Sequence, residues 1–313
     1  MIFLFELVYS LGGIALIKEK RNIASLMIIL AGACWGIIGF FSRNLNSLGL
    51  TSVQITAVRC IITALGLTIY LLIKDKEKLR INYKDIWYFI GTGICSILFF
   101  YICFFVTTEL TTLSIASILL YTAPFFVTIL SAIFFNEKMT KYKISALLLA
   151  FTGCILTTGI IGSGEMKIST LGLITGLGSG IGYALYSIFG TIALKKYDSF
   201  TVTTYTFIIA SIAVLPFCSI ENLIEMSMGN SKILINSILI AIVSTLIPFL
   251  LYTKGLGHIE AGQASIMAFV EPMAATAVGI IIFKEGSSIQ HILGIFLIFI
   301  SIVLLNIRLK PTK

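Results

Sequence analysis

The sequence predicts an all-α integral membrane protein, with ten transmembrane helices forming two inverted five-helix repeats around a central cavity. Three observations carry that prediction. Of 313 residues, 58% are hydrophobic and only 12% charged, with a mean hydropathy of +1.05. The few charges cluster between long apolar runs, and the two halves of the chain align with each other. A soluble domain runs at about 25% charged residues. The length would suit about two soluble domains, but the composition excludes them.

A helix needs roughly 20 mostly apolar residues to cross the hydrocarbon core. Ten runs meet that need, at 23–41, 53–73, 86–108, 112–135, 144–161, 171–194, 200–220, 233–253, 261–283 and 291–307. They are continuous rather than alternating, which favours helices over a barrel, and a helix satisfies its own backbone groups in lipid. Connections are short, and none is large enough to hold a separate soluble active site. Residues 1–22 form an apolar extension that contains Glu6 and the pair Gly12–Gly13. It lacks the basic leader and small-residue cleavage site of a signal peptide. An interfacial extension, an eleventh helix and a start codon placed too early all remain open for residues 1–17.

The charges set the orientation. Of 22 Lys and Arg residues, 17 fall in the segment before the first run and in alternate connections after it. Four (Arg43, Lys167, Lys232 and Lys284) fall in the other set, and Arg59 lies within the second run. The positive-inside rule then places both ends of the ten-helix unit in the cytoplasm. The formal net charge of +8 is accounted for by these loops, so no nucleic-acid partner is expected. The expected partners are the lipid bilayer and a small-molecule solute.

Shifting the chain by 148 residues aligns 116–156 with 264–304 without a gap, giving 12 identities in 41 positions. These include Ser117/Ser265, Pro124/Pro272, Thr128/Thr276, Phe135/Phe283 and Glu137/Glu285. The same shift pairs Gly32 with Gly180 and Trp35 with Tyr183. The repeats are expected at 23–163 and 164–310. Five helices per repeat is an odd number, so the second repeat enters the membrane from the opposite side. Secondary transporters use such inverted repeats, with the substrate near the midplane between them.

The stretches YTAPFFVTILSAIFFNEKMT (121–140) and FVEPMAATAVGIIIFKEGSS (269–288) carry a family resemblance, as do GACWGIIGFFSR (32–43) and AVRCIITAL (57–65). Together they resemble the EamA family of the drug/metabolite transporter superfamily over residues 23–309. The resemblance implies a cytoplasmic-membrane carrier that commonly exports amino acids or other small metabolites. It also implies a central cavity lined by eight helices, with the fifth and tenth at the periphery.

Within the runs only Arg59 and Glu271 are formally charged. A charge at a helix centre costs about 2.5–3.5 kcal/mol on insertion scales, so each should face protein or water. Arg59 either snorkels to the interface or meets a substrate carboxylate or phosphate through bidentate hydrogen bonds. Glu271 precedes Pro272, which removes a backbone donor. Its carboxyl either satisfies the opened backbone or titrates as a proton-coupling group. Pro124 and Pro272 are candidate hinges or static kinks. Trp35, Tyr121, Tyr183 and Tyr186 are candidate cavity-lining rings, with core packing as the alternative for each.

Gly172, Gly176 and Gly180, with Gly178 and Gly182 on a second row, form a small-residue ridge for helix packing. GLGSGIG does not have the dinucleotide-loop spacing. Glu137 and Glu285 are expected to satisfy backbone donors at the start of the next helix. The six cysteines show no metal or disulfide spacing, the two histidines are isolated, and no Walker loop is present. No cofactor or metal is expected, and a monomer or weak homodimer suffices. A channel, a non-transporting scaffold and an intramembrane enzyme built on Arg59 and Glu271 are the competing functions. The enzyme lacks a nucleophile pair or a second acid–base partner.

Overall fold

In the computed structural model the described residues are 2–161, 168–286 and 288–307, with side chains over 19–161, 168–286 and 288–306. Among them nine helices are long and apolar enough to cross a membrane. We label these α1 (Glu19–Ser47), α2 (Ser52–Lys74), α3 (Tyr83–Leu110), α4 (Leu113–Phe135), α6 (Thr170–Ala193), α7 (Ser199–Phe217), α8 (Ser231–Leu256), α9 (Ala261–Ile281) and α10 (Ile289–Asn306). The fifth apolar run forms α5 (Lys141–Thr157), a 17-residue helix. Residues 2–22 prolong α1 as continuous helix from Ile2 to Gly36. The boundary between the expected repeats, at 163/164, lies outside the described residues.

The sequence supplies the starts of these helices. Thr51 caps α2 in a reciprocal box with Gln54. Thr112, Thr140, Ser169, Asp198 and Asn230 cap α4, α5, α6, α7 and α8 through their own side chains. At the start of α9, by contrast, Glu260 makes no side-chain cap. A short helix, Ile220–Gly229, joins α7 to α8 and is tied to α2 by Gln54 Nε2 donating to Asn222 at 2.9 Å.

Packing follows the repeat. α1 lies against α8 and α9, and its counterpart α6 lies against α3 and α4. α2 pairs with α7, and α5 pairs with α10. The glycine rows of α6 set two of these approaches. A Cβ on Gly176 would sit 2.2 Å from Leu119 Cδ1, and one on Gly182 would sit 2.9 Å from the Phe100 backbone nitrogen. One row therefore seats α4 and the other seats α3, at distances that only a missing side chain allows.

Besides a break at Ile37 in α1, four helices are interrupted in symmetric pairs. α4 breaks between Leu120 and Ala123, and α9 between Met267 and Val270. Pro124 and Pro272 stand just after these breaks, inside the first turn of the following segment. Pro272 cannot bond the carbonyl of Ala268, which instead accepts from Glu271 N at 2.9 Å. α3 and α8 each contain a π-helical segment, Gly91–Leu98 and Ile242–Leu246. Such segments add a residue to the turn and re-aim side chains, often at functional sites.

Candidate functional site

A cavity of about 470 Å³ opens between the repeats. Its walls come from α1, α2, α3, α4, α6, α8 and α9. Arg43, Asn46, Ser52, Thr108 and Glu285 surround its mouth, and Trp35, Tyr183, Phe249 and Glu271 lie deep within it. The volume falls in the range of about 300–1,000 Å³ typical of small-molecule sites.

Five of the six side chains singled out in the sequence meet there: Trp35, Arg59, Tyr121, Tyr183 and Glu271. Tyr186 does not reach the main wall. It lies behind it, buried, with its hydroxyl 2.6 Å from Thr253 Oγ1, and lines a separate annex of about 20 Å³. It serves the core rather than the cavity surface.

Arg59 is only 4% exposed, so its charge is held inside the protein and does not snorkel to an interface. Its Nε donates to Thr245 Oγ1 at 2.9 Å, and the guanidinium carbon lies 5.3 Å from the centre of the Tyr101 ring. Thr245 is presented by the π segment of α8. Among the described residues no carboxylate lies within ion-pair distance of Arg59. Glu271 accepts from Tyr183 Oη at 3.2 Å, and Tyr121 reaches the same carboxylate. The two charges share one cavity without pairing directly. Trp35 packs edge-on against Phe249 at 5.2 Å and Tyr183 at 6.3 Å, closing the floor with rings.

The opposite end is shut. Glu137, at the end of α4, accepts from Ala261 N at 2.7 Å and Gly262 N at 3.2 Å. It therefore caps α9 in the other repeat, not the next helix as its sequence position suggested. Lys143 Nζ donates to Glu137 at 2.7 Å and to Glu260 at 3.2 Å, and the Lys143 side chain is 3% exposed. This cluster joins α4, α5 and α9 beneath the cavity floor. Sequence reading missed Thr245, Tyr101 and Lys143. The shift of 148 gave the one available signal for the last, because Lys143 and His291 occupy equivalent places.

The model of the EamA-like transporter family matches the chain twice, at residues 22–159 and 170–307. An "Uncharacterized transporter YxxF" of Bacillus subtilis is 24% identical over 293 residues, covering 93% of this chain and 92% of its own. An "Uncharacterized transporter" of Archaeoglobus fulgidus is 26% identical over 290 residues, 91% of this chain and 97% of its own. The "Uncharacterized inner membrane transporter YicL" of Salmonella typhimurium is 24% identical, covering 90% and 94%. One solved crystal structure shares the fold with a TM-score of 0.74 at 14% identity, over 91% of this chain and 96% of its own.

Proposed function

Because this chain belongs to the EamA-like transporter family, we propose that it is a secondary carrier, not an enzyme or a channel. It exports amino acids or related small zwitterionic metabolites by alternating access. The observation that carries this reading is the cavity between the repeats, lined by one buried cation, Arg59, and one partly buried carboxylate, Glu271, that form no ion pair with each other. A zwitterion completes both. Its carboxylate meets Arg59, whose fork suits two parallel hydrogen bonds. Its ammonium meets Glu271, while its apolar part lies among Trp35, Tyr121 and Tyr183.

The charge asymmetry of the connections puts the cavity mouth on the extracytoplasmic side of the cell membrane and both ends of the ten-helix unit in the cytoplasm. The closed cluster at Glu137 then faces the cytoplasm. A cavity sealed at one end fits a carrier caught in one of two states better than an open pore. Pro124 and Pro272 serve as the flexing points of α4 and α9. Glu271 takes a proton in one state and, in the other, releases it to water as the ammonium arrives to pair with the carboxylate, which couples export to a proton gradient.

Glu271→Gln in proteoliposomes tests the coupling. Amino-acid flux driven by an imposed pH gradient is expected to disappear. Full flux with unchanged pH dependence would end the coupling role.

A further inference from the structure

We propose that Glu285 is the outer-gate latch, closing the cavity mouth by capping the first turn of α4 when the protein turns to its other state. The inference rests on the carrier reading above, and it comes from one motif seen in two environments. Glu137 and Glu285 are equivalent under the 148-residue shift. Both follow a residue in the left-handed region, Asn136 at φ 55° and Lys284 at φ 54°. Both are anchored by the same backbone bond, from Glu137 N to Ser131 O and from Glu285 N to Gly279 O. A left-handed lysine is costly for the backbone, so the chain keeps a strained turn to aim the second glutamate as it aims the first.

The first glutamate has reached its target. It takes the first two amides of α9, Ala261 and Gly262, with Lys143 as counter-charge. Under the shift those targets become Leu113 and Ser114, and Lys143 becomes His291. Among the described residues the amides of Leu113 and Ser114 make no hydrogen bond, while Thr112 caps only Ile115. Leu113 and Glu285 both line the cavity. The second glutamate therefore has a vacant, equivalent target on the cavity wall, and reaching it would shut the mouth as Glu137 shuts the floor.

Arg43 holds Glu285 back. Its Nη1 donates to Glu285 Oε1 at 2.6 Å and its guanidinium carbon lies 4.4 Å from the centre of the Phe283 ring. The equivalent of Arg43 is Thr191, which has no charge. The cytoplasmic latch thus has no competitor for its glutamate, and the outer latch does. Arg43 biases the protein toward the state with an open mouth.

The test reads exposure of the cavity without any solute. In a chain whose six cysteines are replaced, Ser117→Cys on the cavity wall reports access to an impermeant maleimide added from the Arg43 side. Losing a charge-assisted hydrogen bond should shift the equilibrium by roughly tenfold or more. Glu137→Gln is expected to slow labelling about tenfold by unlatching the floor, and Arg43→Gln to slow it by releasing Glu285. Adding Glu285→Gln to either is expected to restore the rate toward that of the parent. Restoration in both backgrounds supports the latch, and failure to restore in either overturns it. Should Glu137→Gln not accumulate, Arg43→Gln with and without Glu285→Gln decides the matter, since both side chains are about half exposed. Unchanged labelling in a protein that still exchanges amino acids would remove the latch and leave the carrier. The expected labelling pattern without any exchange would keep the latch and remove the carrier.

Discussion

Replacing Lys143 with Met tests the closed floor directly. The Lys143 side chain is 3% exposed and that of Glu137 8%, with 2.7 Å between their charged atoms. Breaking a buried ion pair from one side costs about 3–5 kcal/mol, because the remaining charge stays buried without its partner. Glu137 would keep Ser131 Oγ at 3.0 Å and the amides of Ala261 and Gly262. These bonds to the carboxylate place the cost at the low end, about 3 kcal/mol, or roughly a hundredfold in the folding equilibrium. Glu137→Gln in the same background should recover part of that loss, since the amide leaves no unpaired charge. Reversible unfolding in mixed micelles, run as a double-mutant cycle, measures both numbers. A Lys143→Met protein within about 0.5 kcal/mol of the parent would refute the reasoning, as would a cycle with no coupling.

Three further outcomes follow from the same geometry. Thr245→Val removes the acceptor of Arg59 Nε, and should raise the half-saturating amino-acid concentration about tenfold in counterflow, with Thr245→Ser near normal. Burial pushes the Asp198 carboxyl up, but the Thr201 amide and Lys78 overcome this and hold it below the usual carboxylate range. Its contribution to the α7 cap is therefore complete above the unfolded-state value and lost as pH falls through the lower folded value. Hydrogen exchange at Thr201 should accelerate over that acid window and lose its pH dependence in Asp198→Asn. The hydrogen bond from Lys196 to Asp85 holds the Lys196 ammonium above its usual range. That tie is present below the unfolded-state value and lost as pH rises through the folded one, so alkaline titration should loosen the α3–α6 junction. Lys196→Met is expected to remove the alkaline change.

The fold was legible because lipid allows few solutions: apolar length marks the helices, and the shift of 148 exposes the repeat. Arg59 and Glu271 were legible for a related reason. A charge inside an apolar run must meet protein or water, and both were found in one cavity. Lys143 was not legible, because it sits in a basic connection and looks like a solvated loop residue. Only the fold reveals that Glu137 and the start of α9 enclose it. Thr245 escaped notice because its role depends on the π segment that turns it toward Arg59, and no local pattern announces that turn. Tyr186 was misplaced because, at this density of aromatic residues in α6 and α8, sequence position does not tell the cavity face from the core behind it.

The central claim is a saturable carrier whose zwitterion site includes Arg59. Counterflow tests it most directly: proteoliposomes loaded with a mixture of unlabelled amino acids, then diluted into trace amounts of single labelled ones. The account predicts transient uphill accumulation of at least one labelled amino acid, saturable with concentration, absent for its decarboxylated analogue and lost in Arg59→Gln. Flux that never saturates, or an ohmic current without exchange, would contradict it.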